Sequence, residues 1–137
     1  MQNENIIIKE DLQVLYPESI NPRKILDADV LKVNNHLHTP YSFSAFRDIP
    51  QLFEMASEEN VRVLGITDFY TTDGYSEFLK TAIGERVFPL LNIEFIGLAR
   101  DLQAKEIKIN DPSNPGRLYF SGKGFQYAFY LSDEIEK

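Results

Sequence analysis

From Val30 onward, hydrophobic and polar positions fall into an alternating order of strand-like and helix-like segments. Val30 to Leu37 reads as a strand with a polar end, and Pro40 to Arg47 as a loop. Ile49, Leu52, Phe53 and Ala56 recur at the spacing of one helix face, so residues 49–59 are expected to form an amphipathic helix. Asp48 suits its N-cap, Pro50 its first turn and Asn60 its stop. Val61 to Thr67 is short and nearly all apolar after Arg62, the pattern of a strand covered on both faces. Tyr75, Phe78, Leu79 and Ala82 mark a second helix, closed near Gly84. Val87 to Ile96 is a third apolar strand, interrupted by Asn92 and Glu94. This order implies βαβ units, a parallel sheet and an α/β fold.

The flanks are less regular. Residues 1–29 read as an amino-terminal extension, with a short strand at Ile6-Ile7-Ile8 and turns at Tyr16-Pro17-Glu18-Ser19 and Asn21-Pro22. Beyond Gly97, Leu98 to Lys105 suits a short helix, Glu106 to Asn110 a strand, and Asp111 to Gly116 a turn. Leu118 to Phe120 and Phe125 to Tyr130 read as strand or buried helix on either side of a bend at Ser121-Gly122-Lys123-Gly124. The acidic end, Asp133 to Lys137, is expected to be solvated. The chain thus divides into the extension and one domain over 30–137, legible over 30–97 and unassigned over 98–137.

Composition narrows the function. The 137 residues suit one domain, and 43% hydrophobic residues suffice for an ordinary core. A net charge of −7 argues against direct nucleic-acid binding by this chain alone and against an anionic membrane surface, while suiting a holder of divalent cations. Without cysteine, any metal must be held by imidazole and carboxylate. The start shows no signal-peptide pattern, and no apolar run reaches the ~18 residues of a membrane span, so a cytoplasmic location is expected.

The two histidines of the chain, His36 and His38, stand two residues apart at the end of the first strand. Strand alternation sends both to one face. Asp68 ends the second strand, and Glu94 lies near the end of the third. Parallel α/β folds gather their active sites at this carboxyl edge. Two histidines and a carboxylate with open positions suit Zn²⁺, Mn²⁺ or Fe²⁺. The pair could instead be a hydrogen-bonded strand end, and Asp68 a cap for the next helix. A carboxylate within an apolar strand, however, needs a cation, a metal or a proton. Ser121-Gly122-Lys123-Gly124 lacks the spacing of a phosphate-binding P-loop and reads as a turn. Ser42 and Ser44 lie near the histidines without completing an acyl-transfer triad.

His36-Leu37-His38-Thr39-Pro40-Tyr41-Ser42 resembles the first motif of the PHP (polymerase and histidinol phosphatase) superfamily. Gly65 to Tyr75 resembles the second motif, and Asn92-Ile93-Glu94-Phe95 the third, in the family's order. The resemblance implies parallel βαβ units forming part of a (β/α)7 barrel, and a hydrolase that cleaves phosphate esters with a metal-activated water. His36, His38 and Glu94 would be the metal ligands. Asp68 would serve the catalytic site by orienting a ligand or a water. The family's second motif reads Thr-Asp-His, whereas Phe69 stands at the ligand position here, and Phe43 and Ser44 stand where an Asp or His often follows the first motif. With no third histidine for the later motifs, the expectation is a reduced site holding one ion per chain. The substrate would be a phosphorylated small molecule or nucleotide.

A closed barrel needs ~200 residues or more, so 137 provide only part of one. Such a sheet leaves an open edge. The expectation is a piece of a longer chain, self-association, or coverage of the edge by residues after Gly97. Loss of ligands also leaves a second reading, a catalytically degenerate PHP-like binding or assembly module, with a module of the replicative-polymerase type as its narrower variant, since Gly74-Tyr75-Ser76-Glu77-Phe78 and Ile93-Glu94-Phe95 resemble that branch too.

Overall fold

The computed structural model describes residues 32–127 and 131–132. The expected extension, its strand at Ile6–Ile8, the start of the first strand at Val30, residues 128–130 and the acidic end lie outside them. Seven elements follow in order: β1 (Lys32–Leu37), α1 (Ile49–Glu58), β2 (Val61–Phe69), α2 (Tyr75–Glu85), β3 (Phe88–Leu98), α3 (Arg100–Ala104) and β4 (Arg117–Phe125). The four strands form one sheet in sequence order. β1, β2 and β3 are parallel, and β4 returns antiparallel to β3.

Local chemistry accounts for the helix ends. The Asp48 carboxylate accepts the Gln51 N–H at 2.8 Å and caps α1, with Pro50 in the first turn. Asn60 then takes a left-handed backbone, φ 55°, which ends the helix. The second helix closes one residue beyond Gly84, at Glu85. It ends where Arg86 adopts φ 53° and the Val87 N–H bonds back to the Ala82 carbonyl at 3.0 Å. Gly74 begins it without a side-chain cap, so Asp68 does not serve as its cap.

The core lies between the sheet and α1 and α2. Ile49, Leu52, Phe53 and Ala56 from α1 meet Tyr75, Phe78, Leu79 and Ala82 from α2 over Leu64, Ile66 and Leu91 of the sheet. Phe53 and Phe78 rings lie 5.3 Å apart at the center of this layer. Leu64 and Ile66 face the helices, so Gly65, Thr67 and Phe69 between them face the opposite, inner side of the curled sheet. Register carries this division to β3, where Thr67 pairs with Asn92 and Phe69 with Glu94.

After β3 two expectations are corrected. Glu106 to Asn110 is not a strand. The Glu106 and Ile107 N–H groups bond back to the Gln103 and Leu102 carbonyls at 3.0 Å each, with Glu106 at φ 55°, so the chain turns instead of extending. Gly116, at φ 74°, closes this loop where a Cβ would lie 2.6 Å from the Ala99 carbonyl oxygen. Ser121 to Gly124 is not a bend between two pieces but lies within the continuous strand β4. Its glycines permit close packing, since a Cβ on Gly122 would strike the Phe125 ring. Residues after Gly97 thus cover the β3 edge by an antiparallel return, giving a mixed half-barrel sheet among the described residues.

At the end of β2, Tyr70 (φ 57°) ties the strand to β3. Its N–H bonds the Glu94 carbonyl at 3.1 Å, and its hydroxyl donates to the Ile96 carbonyl at 2.6 Å and accepts the Ile96 N–H at 2.8 Å. Gly65 holds β1 close to the same strands. A Cβ there would collide with Asn35 Oδ1 and lie 2.7 Å from Asn92 Nδ2. Gly65→Ala is therefore expected to destabilise the domain by about 1–3 kcal/mol. Urea denaturation reads this as a lower midpoint at unchanged slope.

Candidate metal centre

His36 reaches the inner face by way of an irregularity in β1. Asn34 pairs with Leu64 and Leu37 with Ile66, so three steps along β1 match two along β2. The bulge sends both Asn35 and His36 inward, and His38 follows two residues after His36. Glu94 comes to the same place from β3. His36 Nε2 lies 3.4 Å and His38 Nε2 3.3 Å from Glu94 Oε2. One donor atom from each of the three residues falls within 4.8 Å of the others.

The three differ in access to solvent. The side chain of Glu94 is 8% exposed, His38 19% and His36 50%, so the cluster opens on the His36 side. Burial holds the His38 pKa below the usual histidine value, with the His36 charge adding to the effect and Glu94 opposing it. His38 Nδ1 is buried with no hydrogen-bond partner among the described residues. Glu94 Oε1 accepts the Ser121 hydroxyl at 3.1 Å, which fixes the plane of the carboxylate from β4. Phe69 stacks on His38, with ring centroids 4.6 Å apart and planes 21° from parallel. The side chain at the expected ligand position thus braces one histidine by its ring and offers no donor.

Asp68 lies on the other face of β2, where it is 1% exposed. Its Oδ1 accepts the Thr39 N–H and the Ser42 hydroxyl, and its Oδ2 the Thr39 hydroxyl, each at 2.6 Å. Three short bonds to one carboxyl group pin the loop immediately after His38. Asp68 therefore acts on the histidine pair through the chain, and Ser42 is committed to this clamp. Beside it, burial pushes the Tyr75 hydroxyl up to about 12, with the Asp68 charge reinforcing the shift.

Beneath the cluster runs a polar network that the residue pattern did not single out. Asn92 Nδ2 donates to Asn35 Oδ1 at 2.9 Å, and Asn92 Oδ1 accepts the Gly124 N–H at 3.1 Å. Lys123 Nζ donates to the Asn35 carbonyl at 3.1 Å and the Thr67 hydroxyl at 3.3 Å. Partial desolvation lowers the Lys123 pKa, while Glu94 raises it. Counting alternate residues from Glu94 and Phe69 would have placed Asn92 and Thr67 on this face; the β1 bulge hid Asn35.

A family model described as "PHP domain" matches residues 34–133. The chain belongs to the PHP domain family. No curated protein matches the chain. The PHP family is one of metal-dependent phosphoesterase-like domains, and His36, His38 and Glu94 are a group of donors that could hold a metal ion among the described residues. No helix among those residues is long and apolar enough to cross a membrane.

The Asp68 clamp has a measurable consequence. Asp68→Ala leaves two buried Thr39 donors and the Ser42 hydroxyl without their acceptor, and is expected to cost about 2–4 kcal/mol of stability. Chemical denaturation beside a Ser42→Ala control, which removes one bond of the three, measures it.

Proposed function

We propose that this PHP domain holds one divalent metal at His36, His38 and Glu94 and hydrolyses phosphate esters there. The observation that carries this reading is the convergence of two imidazole Nε2 atoms on one buried carboxylate oxygen. Two imidazoles and a carboxylate match the three-ligand sets of hydrolytic metal sites that keep an open position. Burial also favours the neutral form of the His38 imidazole, the form that a metal requires. When bound, a divalent ion would polarise a phosphoryl oxygen and lower the pKa of a water.

The chain's own residues supply position and access. Ser121 orients Glu94, and Asp68 holds the loop that carries His38. Phe69 covers one face of the His38 ring and keeps water from it. The half-exposed His36 marks the side from which a phosphorylated small molecule or nucleotide would enter. Zn²⁺, Mn²⁺ and Fe²⁺ all suit this donor set.

Phe69 favours a second reading. A ring stacked on His38 leaves no donor for a further ion, which fits a domain that kept its fold and one metal for binding or assembly.

Equilibrium dialysis with Zn²⁺ and Mn²⁺, followed by turnover of p-nitrophenyl phosphate, separates these readings. Losing a direct ligand costs more than losing its support, so Glu94→Gln is expected to weaken metal binding more than ~100-fold. Metal-dependent turnover abolished by the same substitution supports the hydrolase. Metal binding without turnover favours the binding module. Equal metal binding by Glu94→Gln and wild type contradicts the site.

A further inference from the structure

Ser121-Gly122-Lys123-Gly124 has no P-loop spacing, yet the fold gives its lysine a defined position. Glu94 pairs with Ser121 across β3 and β4; the register then slips between Gly122 and Phe125, and the bonds of Lys123 to Asn35 and Thr67 place its side chain on the inner face with the His36, His38 and Glu94 cluster. The Gly124 N–H to Asn92 Oδ1 bond at 3.1 Å anchors the strand directly after Lys123. At the end of the side chain, the ammonium is held at two points from two strands, the Asn35 carbonyl at 3.1 Å and the Thr67 hydroxyl at 3.3 Å. An ammonium has three N–H donors. The third has no partner among the described residues.

The held position matters because an untethered lysine must be ordered before it can bind anything, a cost of about 0.5–1.5 kcal/mol per side chain. Here the neighbouring residue of the bulged strand, Asn35, and the next strand, β2, already meet that cost. Both acceptors are neutral, so the positive charge is not cancelled by a direct ion pair.

We infer that Lys123 is a binding point for the phosphoryl oxygens of the substrate, on the same inner face as the His36, His38 and Glu94 centre and below it. The inference rests on the proposed metal site and specifies what that site recognises. A divalent ion, one carboxylate and one ammonium leave about two positive charges on this face. A phosphate monoester carries about −1.5 to −2 at neutral pH. The match favours a terminal, dianionic phosphate over a diester, which carries a single charge. Lysine suits this role as a point charge that needs no bidentate geometry.

The test is isothermal titration of inorganic phosphate into zinc-loaded, desalted wild type, Lys123→Ala, Lys123→Gln and Lys123→Arg. Bound zinc is counted in each protein by mass spectrometry, and thermal melting checks the fold. One charge-assisted hydrogen bond is worth roughly tenfold or more in affinity. The expected result is phosphate binding weakened at least ~tenfold in Lys123→Ala and Lys123→Gln, largely kept in Lys123→Arg, with zinc content unchanged throughout. Equal phosphate affinity in wild type and Lys123→Gln overturns the inference, as does a wild type that binds no phosphate with or without zinc. Zinc missing from the wild type contradicts the metal site instead, and the phosphate comparison is then read on the metal-free proteins by the same criterion. Should alanine unfold β4, the Gln and Arg variants carry the comparison.

Discussion

A carboxylate on the inner face of a sheet is the constraint around which this domain is arranged. Glu94 is nearly buried, and a buried charge is tolerated only when paired and hydrogen-bonded. Its partners come from both neighbouring directions in the sheet. Two imidazoles reach it from the end of β1, across β2, and a hydroxyl reaches it from β4. The bulge in β1, the glycine at position 65 and the antiparallel return of β4 each contribute to that meeting. Inner positions of (β/α) barrels are usually filled by branched apolar side chains. Here they carry Asn35, Thr67, Asn92 and Lys123, so polar chemistry extends below the cluster toward the amino ends of the parallel strands.

The other face of the same sheet does separate work. Leu64 and Ile66 bury against the helices, and Asp68, next in that row, points where a hydrophobic residue would continue the core. It is satisfied by Thr39 and Ser42 instead. One strand thus carries two carboxyl-edge devices. Phe69 braces His38 by ring contact from inside, and Asp68 fixes the following loop from outside. His38 is thus held from both faces of β2, an ordering of the kind that a binding site needs.

The three parallel strands and the two long helices were legible because each rests on a local pattern. The 3.6-residue period of α1 survives in Ile49, Leu52, Phe53 and Ala56, and its cap in Asp48. The convergence of His36, His38 and Glu94 followed from alternation and strand ends. What failed was set by strand pairing, a bulge and a backbone turn, none of which the residue pattern displays. β4 contains Gly122 and Gly124 around a lysine, a composition that reads as a turn, and only pairing with β3 makes it a strand. Glu106 to Asn110 has strand-like alternation but is turned back by bonds to α3. Asn35 was hidden because a bulge breaks the period from which its side would be counted. The partners of Asp68 could not be read locally, because Ser42 and Thr39 precede it by 26 and 29 residues.

The central claim is that two imidazoles and one carboxylate of this chain hold a single metal. X-ray absorption spectroscopy of the zinc-loaded protein, with zinc per chain quantified on the same sample, tests it most directly. The account predicts one zinc per chain, with a first shell of two imidazole nitrogens completed by oxygen, and loss of the imidazole signature in His36→Ala/His38→Ala. A first shell of oxygen alone, or zinc retained with its imidazole signature by that double variant, would contradict it.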